Sequence, residues 1–275
     1  MSDDPDDLVG GLAAAVGAEP GSRLLHARGT WVAAGTFRAL SGAGALSTAA
    51  VFSGRRLAVT GRFSGARGGP RAHDAGTADQ GLAVRMTLPG GHSMDLIALA
   101  QPVFFARTAA ELVHLLATAP PPTPPDAPAG YLGQCYHSVH AFGLVNADNG
   151  TRWARLEWHP ERETPRPTRE EANTLPPDYL AGSLTGGLPA RFTLHARFPA
   201  GGDTVHDPTA RWAEPGDRTP LGELGIGRVL AVPPGPEPDF DPLNLPHGIL
   251  PLRDRPARER STFYRAARAR RRAGG

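Results

Sequence analysis

Apolar and polar residues alternate along much of the chain, and Gly and Pro punctuate the alternating runs. "RLAVTGRFSG" (56–65), "GLAVRMTLPGG" (81–91) and "MDLIALAQPVFFAR" (94–107) read as strands by this pattern, and "LLHARGTWVAAGTF" (24–37) has the same alternating and β-branched character. A second group follows: "SVHAFGLVNADNGTRWARLEWHP" (138–160), where the Asn-Gly inside "NADNG" predicts a hairpin turn, then "ARFTLHARFPA" (190–200) and "LGELGIGRVLAV" (221–232). Helical spacing is clearest in "TAAELVHLLATA" (108–119), with apolar residues at i, i+3 and i+4, Thr108 as N-cap and Glu111 three residues on. Shorter helices are expected over 5–17 and near 169–185, and a C-terminal helix over 254–272.

Strands at hairpin spacing with helices between and after them predict an α+β fold built on an antiparallel sheet or barrel. There is no βαβ alternation and no phosphate loop, and "GIG" (225–227) does not stand between a strand and a helix as a dinucleotide fingerprint requires. The stretch about 119–129, "APPPTPPDAPA", predicts a Pro-rich loop within one domain spanning 1–275.

Composition narrows the picture. The 275 residues are 40% hydrophobic, enough for a packed core, and all 29 basic residues are arginine. The net charge of +2 excludes a general polycation, and the basic run "RAARARRR" lacks the interleaved aromatics that stack on bases, so no nucleic-acid partner is expected. One cysteine, Cys135, excludes an internal disulfide framework and a cysteine zinc site. No apolar run is long enough to span a bilayer and the acidic "MSDDPDDL" is unlike a secretory leader, so no membrane partner and a cytoplasmic location are expected.

Two residues stand out chemically. His26 sits in an apolar segment flanked by Arg23 and Arg28, cations that disfavour imidazolium and suit a neutral general base. Tyr264 follows Arg260 by one helical turn, so the guanidinium shares its face and would stabilise a phenolate, a hard donor for ferric iron. The competing reading of this tail is an amphipathic helix with solvated arginines.

Several separated motifs, in order, decide between these readings. "RLLHARG", "LAVTGRFSG", "DLIALAQPVFFARTAAELVHLL", "HAFGLVNADNGTRWARLEW" and "FDPLNLPHGILPLRDRPARERSTFY" together resemble the haem catalase superfamily, and most closely its short branch, the catalase-related peroxidases. The resemblance covers about 20–268 and implies an antiparallel β-barrel with flanking helices and a C-terminal helix carrying the proximal Tyr. It implies haem b as cofactor, with Tyr264 as iron ligand, Arg260 as its electrostatic partner, and His26 as the acid–base held by Ser64. Arg23 and Arg62 would pair with the propionates, and Leu25 and Phe105 would line the apolar pocket. Arg268 or Arg271 would reach a propionate, while Arg270 and Arg272 read as solvated.

One position departs from the family pattern: Ala100 stands where an asparagine is expected, and alternation turns Gln101 to the opposite face. The chain is also shorter than full-length catalases, which implies a more open pocket. The expectation is a haem-dependent peroxidase acting on hydrogen peroxide or organic hydroperoxides, with weak or no catalase activity, in a monomer or small homo-oligomer. Its partners are a peroxide and a small-molecule reductant or organic substrate. The alternatives are a catalase-fold enzyme repurposed for a biosynthetic oxidation and a haem-binding protein without turnover.

Overall fold

The computed structural model describes residues 4–65, 73–76, 80–118, 126–214, 216–230, 232, 238–252 and 255–274. Within them the alternating runs form antiparallel strands: β1 (Gly29–Ala39), β2 (Arg56–Gly65), β3 (Gln80–Thr87), β4 (Ser93–Leu99), β5 (Tyr136–Val145), β6 (Thr151–Pro160), β7 (Ala190–Arg197), β8 (Arg218–Leu230) and β9 (Ile249–Pro251). The strand order is β4-β3-β2-β1-β8-β7-β6-β5-β9, and β4 returns to β5 at Leu99 and His137, closing eight strands into a barrel. The remaining elements are helices α1 (Pro5–Val16), α2 (Ala43–Leu46), α3 (Ala109–Thr118), α4 (Arg169–Asn173), α5 (Tyr179–Gly186) and α6 (Arg255–Ala273).

Period-two alternation sorts each strand. Along β2, Leu57, Val59, Gly61 and Phe63 are buried on the core side, which leaves Arg62 and Ser64 for the other face. Phe63 packs against Tyr131, Tyr136 and Phe192, and Trp158 meets Phe37 edge-on, so aromatic rings fill the barrel. Each such side chain, fully buried, stabilises the fold by roughly 1.5–3 kcal/mol.

A separate apolar cluster of Leu8, Val9, Leu12, Leu24 and Val113 joins α1, α3 and α6 into a helical layer. Helix α1 begins at Asp4, whose carboxylate accepts from the Asp6 and Asp7 amides, and ends at Gly17 in the left-handed region, φ 61°. At α3 the Thr108 hydroxyl accepts the Glu111 amide at 3.1 Å, as expected. The Glu111 carboxylate reaches the Arg107 amide instead of closing a box on Thr108.

Three expectations change. The strand read through 107 stops at Leu99, since Pro102 has no amide to extend the ladder. The chain over 24–28 turns sharply, and β1 begins only at Gly29. The helix near 169–185 is two helices, broken at Pro176–Pro177. Of the Pro-rich loop, 119–125 lie outside the described residues. No helix among the described residues is long and apolar enough to cross a membrane.

Candidate active site

A cavity lies between the outer face of β2–β4 and the helices α3 and α6. It encloses about 1330 Å³ of space, part of it open to solvent. Its walls are mostly apolar, from Leu25, Ile97, Leu99, Leu112 and Phe263 among others. Into it face His26, Tyr264 and six arginines: Arg23, Arg62, Arg107, Arg260, Arg268 and Arg271.

His26 is set by backbone and neighbours together. Its φ of 56° puts a non-glycine residue in the left-handed region. Arg62 holds that turn by donating to the His26 carbonyl at 2.8 Å and to the Ala27 carbonyl at 3.2 Å. Ser64, two residues further along β2, meets His26 Nδ1 at 2.9 Å. Ser64 is paired in the sheet with Gly29 and Gly81, and both glycines are required. A Cβ at Gly81 would stand 2.9 Å from the His26 ring, and one at Gly29 would stand 2.5 Å from the Arg62 guanidinium.

Protein encloses the His26 ring except on the side open to the cavity. Burial, with repulsion from Arg62, Arg23 and Arg260, pushes its pKa down to about 3. The neutral state follows as expected, but Arg28 plays no part in it. Arg28 turns away to the Asp74 carboxylate at 3.0 Å and the Pro177 carbonyl.

On α6 the Arg260 guanidinium lies 5.9 Å from the centre of the Tyr264 ring and 5.3 Å from that of Phe104. The helix is anchored by Ser261, which donates to Asp241 at 2.8 Å; the Asp241 amide in turn donates to Asp95, which Arg85 holds bidentately at 2.7 and 2.6 Å. Thus "FDPLN" works as the seat of the tyrosine helix. Asp239 pairs with Arg268, Arg271 and Arg272 at the cavity rim. Burial and the arginines Arg62 and Arg271 draw Arg23 down to about 9, with Tyr264 and Asp239 opposing.

The cavity gathers Arg23, Leu25, His26, Arg62, Ser64, Arg260 and Tyr264. Phe105 is absent from the lining; Phe104 takes the wall and Phe105 packs behind it at 4.7 Å. Neither Ala100 nor Gln101 lines the cavity, and among the described residues no carboxamide does. Because β4 has already ended, the alternation argument for Gln101 does not apply. Arg270 is not merely solvated: it donates to the carbonyls of Ala18, Glu19 and Ser22.

Sequence reasoning missed His140. A bulge between His137 and Ala141, with Val139 at φ 54°, turns this side chain into the cavity wall. Ser138 patches the ladder, accepting from the Leu156 amide and donating to the His140 carbonyl. Both His140 ring nitrogens are buried without a hydrogen-bond partner, and burial followed by Arg260 and Arg155 depresses its pKa well below the ordinary value. Alternation alone could not reveal it, because the bulge breaks the period.

Comparison with known proteins agrees with this geometry. The family model "Catalase" matches residues 19–124. A catalase-related peroxidase of Mycolicibacterium paratuberculosis is 28% identical, over 96% of this chain and 93% of its own. A catalase-related peroxidase of Synechococcus elongatus is 28% identical, over 94% and 86%. Among solved structures, a fungal catalase (TM-score 0.80) and catalase A of Saccharomyces cerevisiae (TM-score 0.75) share the fold at 18% identity. The chain spans only 61% and 64% of those two proteins' lengths. The chain is thus similar to catalases over residues 19–124, and to catalase-related peroxidases of like length along nearly all of it.

Proposed function

We propose that this oxidoreductase is a haem-dependent peroxidase that acts on hydrogen peroxide or organic hydroperoxides and has weak or no catalase activity. The observation that carries the reading is one cavity in which a neutral imidazole and a phenol are gathered among arginines and apolar walls.

The residues present suit a haem. Ile97, Leu99, Leu112 and Phe263 offer aliphatic and aromatic walls to a planar ring. The six cavity arginines face a single lining carboxylate, Asp239, which leaves guanidinium capacity for two propionates. Tyr264, with the Arg260 guanidinium over its ring, would be the oxygen donor for the iron, and Arg23 and Arg62 would take propionates. When bound, the haem supplies the redox chemistry of peroxide O–O cleavage.

The chain's own residues then handle the proton. Ser64 occupies His26 Nδ1, so Nε2 is the nitrogen left to accept a peroxide proton and return it. A neutral ring is ready to accept at physiological pH. No carboxamide lines the described cavity to orient a small peroxide beside that ring, which disfavours rapid disproportionation. The partly open, apolar mouth favours an organic hydroperoxide or reductant, and equally a biosynthetic oxidation of an organic substrate.

Optical spectroscopy with an activity screen tests this. The reconstituted protein is expected to show a Soret band that Tyr264→Phe abolishes or greatly alters, and to oxidise a phenolic dye faster than it evolves oxygen. No Soret band after reconstitution overturns the reading.

A further inference from the structure

Away from the cavity, on the outer face of the barrel, a second set of reactive side chains is wired together. Cys135 precedes β5, and its Sγ lies 3.5 Å from His159 Nδ1 on β6. The other nitrogen of that ring, Nε2, meets Glu157 Oε2 at 3.0 Å. Glu157 is only 1% exposed and is surrounded by the His137 ring from β5 at 3.3 Å and the guanidinium groups of Arg218 from β8 at 3.1 Å and Arg197 from β7 at 3.6 Å. Glu214 balances them, pairing with both Arg197 and Arg218. The fourth wall is His195 of β7, its ring edge-on to His159 at 4.6 Å and its Nδ1 buried without a hydrogen-bond partner.

Strand register explains the assembly. Glu157 is paired with His137 on one side and with His195 on the other, and His159 follows two residues later on the same face. Hydrogen bonds to Cys135 and Glu157 raise the pKa of His159 to about 9, so the ring is an imidazolium at neutral pH. An imidazolium that donates to a cysteine sulphur stabilises negative charge there and raises its reactivity. Cys135 is half-buried, not sealed.

We propose that Cys135, His159 and Glu157 form a second reactive site, at which a hydroperoxide oxidises the Cys135 sulphur to a sulfenic acid. The sulphur attacks the terminal peroxide oxygen; an S–O bond forms as the O–O bond breaks. Sulphur loses two electrons, the peroxide is reduced to its alcohol or to water, and the departing oxygen takes its proton from His159. Glu157 acts through His159 and is a positioning residue. Because Cys135 is the only cysteine in the chain, no internal disulfide can resolve the product, and its reduction needs a thiol from outside. The step does not require the haem of the proposed function.

The test uses the full chain, freshly reduced and desalted, with hydrogen peroxide and, separately, cumene hydroperoxide. Sulfenic acid is trapped with dimedone and mapped by mass spectrometry. Expected is an adduct at Cys135 that Cys135→Ser removes, and that forms about tenfold more slowly in His159→Gln. Tyr264→Phe should keep the trapping rate, which separates this site from the haem reading. Iodoacetamide at about pH 7 should alkylate the wild-type thiol faster than it alkylates free cysteine. This second measurement stands if His159→Gln fails to fold. Absence of an adduct, an unchanged rate in a folded His159→Gln, or alkylation no faster than that of free cysteine overturns the proposal.

Discussion

His26 beside the cavity and His159 on the outer face of the barrel differ chiefly in what each ring is given to hold. His26 has a hydroxyl on Nδ1 and three guanidinium groups near it, and is driven down to about 3. His159 has the Glu157 carboxylate on Nε2 and a sulphur on Nδ1, and is driven up to about 9. Burial is the larger influence on His26, whereas the partly exposed His159 is raised by its hydrogen bonds to Cys135 and then Glu157. The same barrel thus supports a neutral proton acceptor on one flank and a cation on the other.

The strongest way to break this contrast is to remove the carboxylate. Glu157→Gln leaves His137, His159, Arg197 and Arg218 without their shared anion. It should destabilise the fold by about 3–5 kcal/mol, read from urea denaturation, as for a buried ion pair that loses one partner. Next, His26→Ala should lower peroxide-dependent kcat/KM by about a hundredfold or more, in the range of lost general acid–base catalysis, while thermal unfolding shows an intact fold. Ser64→Ala frees the ring without removing it, and should cost about tenfold in kcat with little change in KM, since the imidazole stays at the site but loses its tether.

The smallest effect sharpens the comparison most. A histidine whose folded pKa is lowered contributes stability that is present above 6.5 and lost as pH falls toward 3, which is His26. A histidine whose folded pKa is raised contributes stability that is present below 6.5 and lost as pH rises through about 9, which is His159. The two losses meet near pH 6.5. Urea midpoints measured against pH should therefore show His26→Gln flattening the slope just below 6.5, and His159→Gln flattening the slope between 6.5 and 9. Equal slopes in both variants and the parent would show that neither ring titrates as described.

Much of the site was legible because its parts lie in regular or locally punctuated segments. The motif resemblance singled out Ser64 and Arg62, which lie on one face of β2, and the one-turn spacing of Arg260 and Tyr264 placed those two on one helix face. The rest depended on pairings between distant segments. His140 is exposed to the cavity only because a bulge breaks the period of β5. Gly81 and Gly29 matter only because the barrel sets them beside Ser64. The Cys135–His159–Glu157 chain needs the register of β5 against β6, which no local pattern states. Phe104 replaced Phe105 as the wall because β4 ends before the phenylalanines and alternation no longer assigns their faces.

Arg270 carries a mechanical consequence. Its guanidinium grips three carbonyls, those of Ala18, Glu19 and Ser22, from a position less than two turns beyond Tyr264 on the same helix. The gripped segment ends four residues before His26. The two halves of the cavity, phenol on one side and imidazole on the other, are therefore yoked: a slide of α6 drags the imidazole's own tether with it. Arg270 is thus a strut between the two groups, added to the anchors that each has on its own.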